Sequence, residues 1–336
     1  MYTATAGRRP RQDLNGALTT FMVAGHVAHR ILPIIGTASQ DFQITKINQG
    51  DTLRIIRTKR APKARAARVE TPIDYTTGHC EERAAEEPCD VTVLARIGSQ
   101  VDGRKVAAKT AATVVANDLE DDVIGTFFNE TNYPLSGTTG LDTSNRWTDP
   151  INATPIADVN VVVDYLRKQG TPGNGMLINQ ARARDVWNCD RIRARLTQIY
   201  GRVIPGEPVA ADLAAIFGID EVIIASAMKN TANPGATNAF DYIASGKYCG
   251  VFRKSADQTF TDPRVGNIFV WTNAYAESQA DILPIPEQMP DNVMEFARCE
   301  EYDEPGNSSI VVSVKTFTDE LLLNSTAFKL IKIADA

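Results

Sequence analysis

Residues able to do chemistry are few in this chain and poorly spaced for it. The 336 residues hold three histidines, His26, His29 and His79, and five cysteines, Cys80, Cys89, Cys189, Cys249 and Cys299. His26 and His29 would share a helix face, but no cysteine or carboxylate stands close in sequence to complete a metal site. The cysteines are odd in number, widely spaced and without a C-x-x-C pair, which reads as reduced thiols. His79 and Cys80 are adjacent, yet sequence neighbours rarely form a nucleophile–base pair, and no third group is indicated. Glu120, Asp121 and Asp122 are consecutive in a helical segment, so they point in different directions and read as a solvated face. The stretch from Gly170 to Gly175 follows a helix and opens a strand, the reverse of the order a phosphate loop needs, and reads as a helix stop and turn. No G-K-[ST] step, G-x-G-x-x-G or nucleophile elbow is present. No catalytic residue, metal or cofactor is therefore expected, and the chain is not expected to be an enzyme.

The elements around these residues follow from periodicity. Leu14, Leu18, Phe21, Met22 and Ile31 predict a helix ended by Pro33. Phe42 to Ile47 alternates as a strand, and Thr52 to Arg57 is a second strand-like piece. Arg68 to Thr71 would return beside it across a long tip at 58–67. A long helix is predicted from about Gly103 to Asn129, with Ala107, Ala111, Val115, Leu119, Val123 and Phe127 at steps of four and Val114, Ile124 and Phe128 widening the stripe. A Gly/Thr/Ser/Asp/Pro-rich linker surrounds Trp147. Beyond it comes an α/β pattern: a helix capped by Thr154 and stopped by Gly170, a strand at Met176–Asn179, and a broken helix at 181–200. A short helix stopped by Gly218, a strand from Glu221, and two more from Tyr248 and Ile268 follow. Strands at 293–298, 309–317 and 327–333 complete a β-rich C-terminal part.

Composition excludes more than it names. Hydrophobic residues make up 43% and charged residues 23%, ordinary globular values, and the net charge of −6 argues against a basic nucleic-acid-coating protein. The first sixteen residues have no apolar core, and Arg8-Arg9 is not followed by the apolar stretch of a twin-arginine signal. The longest mostly apolar run, about 17–24, is too short to span a bilayer. The expectation is a protein that stays in the cytoplasm or in what assembles there.

The charge is distributed in blocks. Arg54, Arg57, Lys59, Arg60, Lys63, Arg65 and Arg68 occur with no acid between Asp51 and Glu70, and then Glu81, Glu82, Glu86, Glu87 and Asp90 carry only Arg83 against them. Each block repels itself. One reading is a solvated loop beside a solvated helix. The other is a basic surface on one copy that meets the acidic segment of another.

Three stretches carry a family resemblance: Cys80-Glu-Glu-Arg-Ala-Ala-Glu-Glu with the helix ending Asn117 to Asn129; Trp147-Thr-Asp-Pro with the helix to Lys168 and Gly175 to Gln180; and Asp212 to Ala227. In order and spacing they resemble the major capsid proteins of tailed bacteriophages, which have the Hong Kong 97 phage capsid fold. The resemblance implies an α+β fold with an N-terminal arm (1–40), an extended β-hairpin loop (41–78), a peripheral domain with a long spine helix (79–150 and 262–336) and an axial α/β domain (151–261). It implies self-assembly through pentamers and hexamers into an icosahedral shell around a double-stranded DNA genome, in a virion capsid assembled in the host cytoplasm. The expected partners are the chain itself, a separate scaffolding protein since only a short arm precedes the loop, a portal, possible decoration proteins, and DNA in weak non-specific contact. Arg8, Arg9 and Arg11 are the candidate genome contacts. The family's Lys–Asn cross-link is not carried over: Lys59 and Lys63 lie in the corresponding loop, but nothing marks an Asn partner. A cargo-packaging cellular shell of the same fold, a tail or baseplate protein, and an α/β enzyme with a β-rich accessory domain stay open as alternatives.

Overall fold

The computed structural model describes residues 9–19, 25–47, 55–56, 58–60, 65–68, 73–90, 92, 102–135, 140–143, 146–201, 206–233, 235–255, 264–274 and 292–334. The chain opens with β1 (Arg9–Pro10), α1 (Gln12–Thr19), α2 (Ala28–Ile31) and β2 (Ile34–Thr37). The single helix predicted up to Pro33 is thus two among the described residues. Next come β3 (Asp41–Ile47), β4 (Ile73–His79), β5 (Glu81–Asp90) and α3 (Gly103–Phe127). The middle of the chain holds β6 (Gly140–Asp142), α4 (Pro155–Lys168), β7 (Gly175–Asn179), α5 (Gln180–Asn188), α6 (Asp190–Tyr200), α7 (Ala210–Phe217) and β8 (Glu221–Ala225). After these follow β9 (Met228–Asn230), β10 (Phe240–Tyr242), β11 (Tyr248–Phe252), β12 (Gly266–Trp271), β13 (Arg298–Glu304), β14 (Ser309–Leu322) and β15 (Phe328–Lys332).

Two sheets organise the molecule. The first runs β1-β13-β14-β12-β2, with β5 also paired to β14. The second runs β6-β15-β11-β7-β8. Its members do not all come from the stretch 151–261: β6 and β15 lie in segments that the sequence analysis places in the peripheral domain, yet β15 pairs with β11 along its whole length. Gly250 is needed at that seam, because a Cβ there would sit 2.2 Å from the Phe328 ring.

The spine helix α3 spans 25 residues, roughly 37 Å at 1.5 Å per residue. Asp102 caps it by accepting from the Lys105 N–H. Its predicted stripe of Ala107, Ala111, Val115, Leu119, Val123 and Phe127 is buried, whereas Val114, expected to widen the stripe, is exposed. The stripe packs into one core with Leu14 and Leu18 of α1, with Val312 and Val314 of β14, and with Phe252, Phe328 and Leu330 from one face of the second sheet. A separate core covers that sheet's other face, built from Trp147, Leu166, Ile178, Trp187, Ile192 and Leu213. Trp147 is fully buried and donates its indole N–H to Asp158 at 2.8 Å. Thr154 precedes α4 but bonds the Asp158 carboxylate rather than a helix N–H.

One further expectation is corrected, and one strand is added. Residues 293–296 form a 3-10 turn, not a strand, since the Asn292 side chain caps the Met294 N–H and Val293 and Met294 are buried consecutively rather than alternately. β3 pairs with Ile73–His79, in register Asp41↔His79 to Ile47↔Ile73, a strand the sequence analysis does not predict, while the pieces expected at 52–57 and 68–71 lie largely outside the described residues.

Candidate inter-subunit site

The β3–β4 ribbon is built from seven paired positions and forms a two-stranded sheet of its own, with no ladder to another strand among the described residues. At about 3.4 Å per residue it is roughly 20 Å long. Its root is anchored: Ile44 and Cys80 are buried with Phe269 and Phe317, and the Phe42 and Phe269 rings are 4.6 Å apart. Gly78 allows the close approach, because a Cβ there would meet the Phe42 ring and Asp319 at 2.3–2.6 Å. The Asp41 carboxylate lies 2.6 Å from His79 Nδ1 and closes the root. Beyond the ribbon, Lys59, Arg60, Arg65 and Arg68 are exposed and have no regular structure. Arg54, Arg57 and Lys63 lie outside the described residues.

The acidic segment is a strand, not a solvated helix. Residues Glu81–Asp90 pair with β14 over ten positions, from Glu81↔Thr318 to Asp90↔Ser309. The sequence has poor strand propensity, so the long partner makes it a strand. Period-2 geometry then divides the acids between two faces. Glu82, Glu86 and Asp90 are on the exposed side, where Glu82 lies 3.7 Å from Lys315 and Glu86 accepts from the Tyr302 hydroxyl at 2.9 Å. Arg83, Ala85, Glu87 and Cys89 are half-buried on the other side, and Ala85 and Cys89 join the core shared with α3.

Arg83 does not neutralise its own block. Its guanidinium reaches Asp118, Asp122 (2.6 Å) and Glu320 (3.0 Å), and its Nε donates to Thr318 at 3.1 Å. Burial penalises the Arg83 cation, yet Glu320, Asp122 and Asp118 more than offset this and raise its pKa. These groups line a cleft of about 410 Å³ with His79, Glu81, Glu82 and Asp319. Burial pushes the Glu320 carboxyl up against the pull of Arg83, and burial raises Asp319 although it accepts the His79 N–H at 3.0 Å. One guanidinium facing six carboxylates leaves the cleft strongly negative. Sequence reasoning found Glu81 and Glu82 but missed Asp118, Asp122, Asp319 and Glu320, because their convergence depends on strand pairing more than two hundred residues away in sequence.

The acidic triplet in the spine helix is also reassigned. Asp121 pairs with Lys229 at 2.6 Å and Asp122 with Arg83, but Glu120 is only 2% exposed. Its carboxylate accepts the N–H groups of Val27 and Ala28 at 2.8–3.0 Å, fixing the arm to the helix at the start of α2. Burial raises the Glu120 pKa, and those N–H groups pull it back. His26 is held beside it, with Nε2 at 2.8 Å from Asn117, and burial lowers the imidazole pKa.

In the arm, Arg8 lies outside the described residues. Arg9 sits in β1, opposite Glu301 on β13. Arg11 binds Glu301 and chelates Asp13 at 2.7 and 2.9 Å, and the hydrogen bond from Arg11 brings the Asp13 carboxyl down to about 2. All five cysteines are free thiols, and four of them are buried. No helix among the described residues is long and apolar enough to cross a membrane.

No family model matches the sequence, and no curated protein matches it. Solved structures do match over nearly the whole chain. A phage-related protein of Bordetella bronchiseptica is 16% identical, with a TM-score of 0.65 over 97% of this chain and 98% of that one. The capsid of cyanophage P-SCSP1u is 8% identical, with a TM-score of 0.55 over 91% and 87%. A virus-like particle of Pyrococcus furiosus is 12% identical, with a TM-score of 0.50 over 96% and 97%. With its ribbon, spine helix and α/β module in this order, the chain has the α+β Hong Kong 97-type fold of the phage capsid proteins.

Proposed function

We propose that the chain is a major capsid protein whose copies assemble as pentamers and hexamers into a closed icosahedral shell around double-stranded phage DNA, with no catalytic role. The observation that carries this reading is the β3–β4 ribbon, which projects from the body on a small buried root and exposes a basic tip. Such an element gains burial only from another copy, so its stability is tied to assembly. The tip of one subunit lies over the exposed acids Glu82 and Glu86 and the Arg83 cleft of the next. Each exposed ion pair contributes only about 0.2–1 kcal/mol, but the contact repeats at every interface. Scaffolding, portal and decoration proteins would be further partners. The likeness to the Pyrococcus furiosus particle favours a second reading, a shell of the same fold that encloses something other than a genome.

The test is negative-stain microscopy and sedimentation of the full chain, alone and with co-expressed neighbouring gene products. Closed shells are expected. A compact monomer under every condition would overturn the reading, and shells that never protect DNA from nuclease would favour the second one. Reversing Lys59, Arg60 and Lys63 to Glu is expected to leave the subunit folded by circular dichroism and to block closure. Glu82→Lys with Glu86→Lys in the same chain should partly restore it. Normal shells from the triple variant at low and moderate salt alike would show that the tip does not meet an acidic surface.

A further inference from the structure

The arm was the expected place for a genome contact, but Arg11 is held by Asp13 and Glu301. The same holds for most arginines of the body: Arg83, Arg146, Arg167, Arg182 and Arg184 each have a carboxylate partner. Helix α6 is different. Its sequence is DRIRARLTQIY, and Arg191, Arg193 and Arg195 are all exposed with no ion-pair partner among the described residues. The nearby acids do not supply one. Glu207 is taken by Arg184, Asp185 by Arg182, and Asp212 accepts from the Tyr200 hydroxyl. Only Asp190 at the helix start remains, where the dipole favours it.

The helix is anchored so that these charges splay outward. Ile192 is fully buried and Leu196 is 4% exposed. Arg191 and Arg195 lie one turn apart on one shoulder, and Arg193 projects from the other. This first half of the helix exposes Asp190, Arg191, Arg193, Ala194 and Arg195 and no large apolar side chain; Ile199 and Tyr200 come a turn later. The buried core of a protein interface is usually more apolar than this surface. A phosphate backbone needs no apolar core, and arginine is the side chain best matched to phosphate oxygens.

We propose that α6 is a sequence-independent binding surface for the phosphodiester backbone of nucleic acid, through Arg191, Arg193 and Arg195. It rests on the shell reading for its setting, since a genome inside the shell is the nucleic acid at hand. Binding of a labelled random-sequence DNA duplex to the full chain, followed by fluorescence anisotropy from about 50 to 200 mM salt, tests it. Each phosphate neutralised contributes about 0.9 to the slope of log affinity against log salt. The triple variant Arg191→Gln, Arg193→Gln, Arg195→Gln is expected to bind at least about tenfold more weakly at low salt and to lose up to about 2.7 from that slope. Single Gln variants at Arg191 and Arg195 should each lose about 0.9, which keeps the test valid if the triple variant misfolds. Lys59→Gln with Arg60→Gln should leave the slope unchanged. No salt-dependent binding by the wild-type chain, or equal slopes for wild type and variants, would overturn the proposal. So would intact DNA binding with lost DNA-free assembly in the triple variant, which would assign the helix to an acidic surface of another copy. Failure of the wild-type chain to form shells, with its salt-dependent DNA binding present and weakened by the Gln variants as expected, would count against the shell reading alone.

Discussion

The second sheet and the β3–β4 ribbon are held by opposite strategies. The sheet is covered on both faces, by the Trp147 core on one side and the spine-helix core on the other. Its strands β7 and β11 are buried at every position. The ribbon has only its root packed, on Phe269 and Phe317, while Tyr75 is 63% exposed. One region is packed on both faces within a single copy, and the other is packed only at its root. On the shell reading proposed above, the body would set the curvature and the ribbon would gain its packing from a neighbouring copy.

The largest expected effect is in the rigid half. Trp147→Ala removes a fully buried indole and should destabilise the isolated subunit by about 3–5 kcal/mol in chemical denaturation. Tyr75→Ala on the ribbon should change the same measurement by less than about 0.5 kcal/mol. Similar losses from both would erase the contrast.

Glu120→Ala comes next. It strips the Val27 and Ala28 N–H groups of their acceptor, at a cost of about 1–3 kcal/mol. Amide exchange should speed up at residues 27 and 28 before it does in the Trp147 core. Loss of protection across the whole chain at once would show that the arm is not a separate unit.

The cleft gives a smaller, pH-dependent effect. Asp319 and Glu320 have pKa values raised by burial in the folded chain. The stability they contribute is therefore full below their ordinary values, near pH 4, and is lost as pH rises through the raised folded values. Asp319→Asn with Glu320→Gln should flatten the dependence of unfolding free energy on pH above about 4. Because the cleft gains charge as these groups ionise, the tip contact proposed above should strengthen as pH rises. The smallest effect is at the exposed Lys229–Asp121 pair, where Asp121→Asn should cost no more than about 1 kcal/mol.

How much of this was legible follows the range of the interactions. The spine helix declares itself through six apolar residues at steps of four, and the α4–β7 and α7–β8 units through Pro155, Gly170 and Gly218 at their ends. Local periodicity and capping suffice there. Glu81–Asp90 carries no strand pattern of its own and takes its conformation from β14. Glu120 resembles Asp121 and Asp122 in sequence, and only the docking of residues 27–28 separates it from them. Sequence composition located the acidic block, but the role of Arg83 depends on carboxylates from α3 and β14 that no local signal links to it.

The place of β15 in the second sheet bears on synthesis as well as on shape. It lies between β6 and β11 and pairs with residues 140–142, from which it is separated by 190 positions of the chain. A nascent chain that has reached residue 320 already holds the ribbon and the acidic strand, yet its second sheet lacks an interior strand. Contacts this distant in sequence form late and slowly. Emergence of residues 328–332 is therefore expected to be the step that completes the second sheet. Ribosome-bound chains stalled before residue 328 should remain protease-sensitive between β6 and β11, and early protection there would refute this order of events.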